Sequence, residues 1–195
     1  MKPTLFNTLR ADYDRYAGRS LAMPIAGAIV WTIGAVAATQ LDQPTAIQVL
    51  LSATGAIFPV ALVLARVLKE KLVNNPSPFS RLMGLCILMV NLLWALHSTL
   101  IFKDASLVPL SLGIGLGLHW IVFSWIVDHP VGIIHAVLRT ILVTGLWWLF
   151  PAQPVVSVAV GVIIAYAYSI YALATRRLNQ AEVVGASQLE LVPAS

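Results

Sequence analysis

Six apolar stretches, each near the ~20 residues that cross a hydrocarbon core about 30 Å thick, leave this chain few ways to fold. Inside a bilayer no water satisfies the backbone, so each stretch must bond to itself, which a helix does. The expected fold is all-α. It is an integral membrane bundle of six transmembrane helices, at about 20–40, 46–68, 79–102, 107–127, 131–150 and 154–175. Turn formers fill the breaks: Asp42-Gln43-Pro44, Asn74 to Pro78, Lys103-Asp104, Asp128-His129-Pro130 and Pro151 to Pro154. Ser77 before Pro78 reads as an N-cap with proline at the first helical position. Only 10% of residues are charged and 59% are hydrophobic, far from a soluble domain, where about a quarter are charged.

The basic residues orient the bundle. With six spans and a cytoplasmic N-terminus, Lys2, Arg10, Arg15, Arg19, Arg66, Lys69, Lys71, Arg81, Arg176 and Arg177 lie on one side, Lys103 alone on the other, and Arg139 within a span. Retention of Lys and Arg on the cytoplasmic side produces such an imbalance, so the net charge of +4 implies a lipid bilayer and no nucleic-acid partner. Residues 1–19 lack an apolar signal-peptide core. Leu5, Leu9, Tyr13, Tyr16 and Ala17 recur there at helical spacing, which predicts a short amphipathic helix on the inner leaflet with its arginines near anionic headgroups. Residues 20–175 form the transmembrane domain, and 176–195 are expected to be a mobile cytoplasmic tail. The single cysteine, Cys86, excludes an intrachain disulfide. Gly113 and Gly117 make a Gly-x-x-x-Gly pair suited to close helix approach.

The stretch Gly117–Thr140 gathers His119, Asp128, His129, His135 and Arg139. The fourth span places His119 roughly 12–13 Å from Asp128 at 1.5 Å per residue. Pro130 then turns the chain back, and His135 and Arg139, four apart, share a face of the fifth span. The two spans are antiparallel neighbours, and a polar, net-basic cleft between them, open to the cytoplasm, is the expected ligand site. Trp120 and Trp125 would be its apolar walls, with Asn91 of the third span, on one face with Ser98, a further polar contact. Pro59 frees a carbonyl within the second span, and Arg66 would line the cleft or meet phosphate headgroups. Plainer readings stand beside these. Arg139 could snorkel to headgroups, His119 and Asn91 could bond between helices, and Asp128 could serve the turn.

No His-x-x-x-His pair occurs, and Arg139 one turn from His135 would oppose a dication, so no metal and no cofactor is expected. Ser111-Leu-Gly113 lacks the setting of a nucleophilic serine, and no phosphate-binding loop is present.

Two phrases resemble a family. Asn75-Pro-Ser-Pro-Phe-Ser-Arg-Leu-Met-Gly-Leu85 and Gly117-Leu-His-Trp-Ile-Val-Phe-Ser-Trp125 are similar to segments of domain-of-unknown-function family 7010, a set of small bacterial multi-span proteins. Val122 and Phe123 stand where that family has proline and tyrosine. The resemblance covers roughly residues 8–150 and implies a bacterial cytoplasmic membrane, with both termini cytoplasmic as the charges require. It implies no activity, but it draws attention to His119, Ser124 and Trp125. The expected ligand contacts are thus Asn91, His119, Trp120, Ser124, Trp125, Asp128, His135 and Arg139. The expected function is binding or movement of a small organic or anionic ligand, with a homodimer expected because six spans are few for a transporter. A membrane-embedded enzyme using histidine acid–base or metal chemistry at the inner boundary, and a structural or accessory subunit, are the alternatives.

Overall fold

A computed structural model of the chain describes residues 5–73 and 77–176. Lys2, Arg177 and the rest of the expected tail lie outside the described residues, as do Asn75 and Pro76. The described chain is all-helical and contains no strand. Ten helices follow in order: α1 Leu5–Ala17, α2 Ala22–Ala38, α3 Gln43–Thr54, α4 Ile57–Leu68, α5 Pro78–Leu92, α6 Trp94–Lys103, α7 Leu107–Gly115, α8 His119–Ile126, α9 Val131–Leu149 and α10 Pro154–Thr175. Four runs, Pro78–Lys103, Leu107–Ile126, Val131–Leu149 and Pro154–Thr175, are long and apolar enough to cross a bilayer. Two bent pairs, α1 with α2 (49°) and α3 with α4 (48°), reach that length only if each pair is one span.

The starts follow local chemistry. Ser77 accepts from Phe79 N at 3.3 Å with Pro78 opening the helix, as the sequence predicts, and Asp42, expected only as a turn former, caps α3 by accepting from Thr45 N at 3.2 Å. The internal breaks have separate causes. Pro59 has no N–H for the carbonyl of Gly55 and its ring crowds it, so α3 ends at Thr54 and α4 restarts at Ile57. Within α5, Asn91 Nδ2 bonds the Ile87 carbonyl at 2.9 Å, an internal competition that bends helices, and the break at Leu93 follows. Between α7 and α8 the bonds tighten to i→i−3, from Gly117 N to Ile114 O (2.9 Å) and from Leu118 N to Gly115 O (3.2 Å).

The centre of the bundle is α10, packed against α9, α2 and α7, with α8 lying on α9 and α5. Small residues on α10, Ser157, Ala159, Gly161, Ala165 and Ser169, are all buried, which lets its neighbours approach closely. The α5–α6 run is the least enclosed of the four apolar runs. At the α8–α9 turn, a Cβ on Gly132 would stand 1.9 Å from the Trp120 carbonyl oxygen. The two backbones touch there, so the expected cleft between the fourth and fifth spans is filled by backbone contact.

Helix α1 is also more than a surface helix. It packs on α5 and α8, with Tyr13 buried and Phe6 set edge-on against Phe79 and Trp125. Arg10, expected near headgroups, instead donates to the Trp125 carbonyl and pairs with Asp128 at 3.5 Å. Arg176, at the end of α10, grips both carboxylate oxygens of Asp14 and donates to Gly18 O (3.0 Å) and Val127 O (2.7 Å). This binds α1, the α8–α9 turn and α10 into one closed end.

Candidate functional site

Arg139 lies two turns into α9 with no exposed surface. Its Nε donates to the Gly113 carbonyl, and its guanidinium carbon sits 5.7 Å from the Trp31 ring and 5.3 Å from the Tyr166 ring. A Cβ on Gly117 would meet Arg139 Cδ at 2.8 Å. The Gly-x-x-x-Gly pair, Gly113 on α7 and Gly117 in the break before α8, therefore serves the arginine as well as helix packing: Gly113 lends a carbonyl and Gly117 lends room. Both terminal nitrogens, Nη1 and Nη2, lack a hydrogen-bond partner, and none of the salt bridges among the described residues reaches Arg139. A guanidinium cannot shed its proton in a protein, and a buried charge without a partner is costly. Arg139 is not stretched toward headgroups.

His135, one turn before, is equally buried, with Nδ1 at 2.7 Å from Ser169 Oγ and 3.1 Å from the Ala165 carbonyl. Ser169 itself donates to that carbonyl at 3.1 Å, so a proton on His135 Nδ1 satisfies all three atoms and leaves Nε2 as an unpaired acceptor. The imidazole stacks on Trp120, with centroids 4.3 Å apart and planes 23° from parallel. Nδ1 of His119 and Nε1 of Trp31 are also buried without partners.

Next to this polar centre is a cavity of about 510 Å³ between α2, α4, α5 and α8, closed at one end by α1. His119 and Trp120 form one wall, Asn91 another, and Tyr13, Ser20 and Ser80 the end near α1; the rest is apolar, including Met23, Phe58, Met83 and Ile87. Ser80 Oγ is another buried atom without a partner. His119 thus belongs to the cavity wall and stands within electrostatic range of Arg139.

The structure gathers His119, Trp120, His135 and Arg139 in one place, and brings Asn91 to the same cavity from across it. The other three expected contacts do different work. Ser124 donates to the His129 carbonyl and accepts from Gly132 N and Ile133 N, both at 3.1 Å, so it caps α9. Trp125 points away from the cavity, half-exposed among Phe6, Phe79 and Arg10. Asp128 sits in a left-handed turn, φ 49°, with its side chain 83% exposed. Ser98 is exposed, whereas His97 is buried and bonded to Ser111 Oγ at 2.9 Å. Among the described residues, no group of three His, Cys, Asp or Glu side chains is placed to hold a metal.

Trp31, Tyr166 and Ser169 were not among the expected site residues, and only Ser169 left a trace, as a hydroxyl in the middle of an apolar run. Glu70 left none. Its carboxylate accepts from Ser20 Oγ (2.6 Å), Leu21 N (2.8 Å) and Ala22 N (3.1 Å), capping α2 from beyond the end of α4.

Neither the curated proteins nor the solved structures contain a match to this chain. The family of unknown function DUF7010 matches residues 6–176, extending the resemblance seen in the two phrases across both α1 and α10. The chain belongs to that family.

Proposed function

We propose that this chain is a six-span protein of a bacterial cytoplasmic membrane that binds a small organic anion in the cavity beside His119. The observation that carries the reading is Arg139, fully buried with two unpaired terminal nitrogens and no carboxylate partner. An intramembrane arginine without a protein counter-ion favours an anion supplied from outside the fold. His119 is the group on the wall that meets the ligand, and Arg139 supplies positive potential from behind it at low dielectric. The apolar remainder of the wall favours an organic body over a bare inorganic ion. Six crossings follow if each bent pair counts as one span. The end that holds Arg10, Arg19, Lys71 and Arg176 around α1 then faces the cytoplasm.

The test is titration of the purified protein with hexanoate, benzoate and chloride, read by tryptophan fluorescence, since Trp120 is part of the cavity wall. The organic acids are expected to bind and Arg139→Met to abolish binding. Equal affinity for the acids in wild type and Arg139→Met would reject the proposal.

A further inference from the structure

The cavity has an incomplete side. Helix α4 contributes Phe58 to it and α5 contributes Met83, Gly84, Ile87 and Asn91, yet α4 and α5 are not among the helix pairs that pack on each other. Phe58 is 44% exposed, Gly84 is exposed, and a Cβ on Gly84 would meet no atom within 4 Å. Besides Ser80 and the exposed Asn91, whose amide is bonded to its own helix, the side chains that α4, α5 and the segment joining them bring to the cavity are apolar: Phe58, Leu72, Val73, Met83 and Ile87. The wall is therefore open sideways, at a level that the apolar helices place within the hydrocarbon.

We infer that the ligand is a membrane-borne acid with a single acyl chain, a fatty-acid-like amphiphile, which enters between α4 and α5. This rests on the anion-binding reading above. The acidic head lies deep, against His119, with the Arg139 charge behind it, and the chain trails out past Phe58, Gly84 and Ile87 into the bilayer. Two features support that polarity. The unpaired His119 Nδ1 belongs to the α8 wall and not to α4, and the uncompensated guanidinium, outside the cavity wall, stands within electrostatic range of His119. A chain leaving by the gap exchanges one apolar surrounding for another, so it loses nothing by remaining half in lipid. At the other end α1 is tied across the cavity by the Arg176–Asp14 pair and by Arg10 on Trp125 and Asp128, and Leu72 and Val73 add apolar side chains there.

Doxyl-labelled stearate and short-chain hexanoate separate the possibilities, using the full chain in lipid nanodiscs. Stearate labelled near its carboxyl should quench the share of fluorescence that Trp120→Phe removes, and stearate labelled near its methyl end should not. Gly84→Phe fills the gap where the structure leaves space, and it should weaken stearate binding by about tenfold while hexanoate binds as before. Phe58→Trp narrows the same gap from α4 and guards against a folding defect in the first variant. If both variants bind stearate like wild type, or if the methyl-end label quenches Trp120 more strongly, the sideways route is wrong and the anion site stands. If neither acid binds wild type, both readings fall.

Discussion

Replacing Arg139 with methionine separates a ligand-binding cation from a structural one. Methionine keeps most of the stem length and apolar packing and removes the charge. The substitution loses the charged hydrogen bond to the Gly113 carbonyl, worth about 1.5–3 kcal/mol, and the contacts with Trp31 and Tyr166, together about 2 kcal/mol when desolvated. Against this stands the desolvation of an ion that leaves two nitrogens buried and unpaired, several kcal/mol. The sum lies at or above zero, so Arg139→Met should melt at the wild-type temperature or higher. The ligand term goes the other way. An acid at 100 times its Kd stabilises the wild type by about 2.7 kcal/mol, or roughly 5–11 °C at about 2–4 °C per kcal/mol for a chain of this size, and the variant by nothing. Thermal unfolding in detergent, with and without hexanoate, reads both. A variant that melts several degrees lower, with acid raising both proteins equally, would make Arg139 a structural bolt and refute the reasoning.

Three further outcomes follow from the packing. Glu70→Ala removes the only side-chain cap on the α2 N-terminus among the described residues and should lower stability by about 2 kcal/mol in chemical unfolding; an unchanged midpoint would mean that water replaces the carboxylate. Gly132→Ala drives a methyl into the Trp120 carbonyl and should cost about 3 kcal/mol, whereas Gly145→Ala, with open space around it, should be nearly neutral in the same melts. His129 is held below its ordinary pKa by burial first and then by Arg176, with Asp14 opposing, and its Nδ1 accepts from Val131 N at 3.2 Å. The unfolded chain therefore takes up the proton first. This stability is present above about pH 6.5 and is lost as pH falls through that value toward the lower folded pKa. His129→Asn should flatten the decline in melting temperature between neutral and mildly acid pH, and an unaltered slope would assign it to other groups.

What the sequence made legible was depth along each helix, and what it hid was direction around it. Proline and its neighbours marked the ends well: α5 begins at Pro78, α9 just after Pro130 and α10 at Pro154, because a missing N–H acts locally. Pro59, expected only to free a carbonyl within one unbroken span over 46–68, instead divides that span into α3 and α4 for the same reason. The breaks at Leu93 and at Gly117 carry no proline and arise from an asparagine bonding its own helix and from tightened turns, which spacing alone does not reveal. Direction was partly available by arithmetic. Trp120 and Trp125 are five residues apart, about 140° around a helix, so they could not both wall one cavity, and the structure sends Trp125 to α1. Arg139 shows where such arithmetic ends. Its depth and its shared face with His135 follow from α9 itself. Its isolation does not, because that depends on Trp31 and Tyr166, rings from helices far away in the chain that carry no charge. A carboxylate in either place would leave the same hydropathy blocks and nearly the same expected spans, yet make Arg139 one half of a salt bridge. The case for an anion therefore rests on which side chains the tertiary packing withholds from the guanidinium.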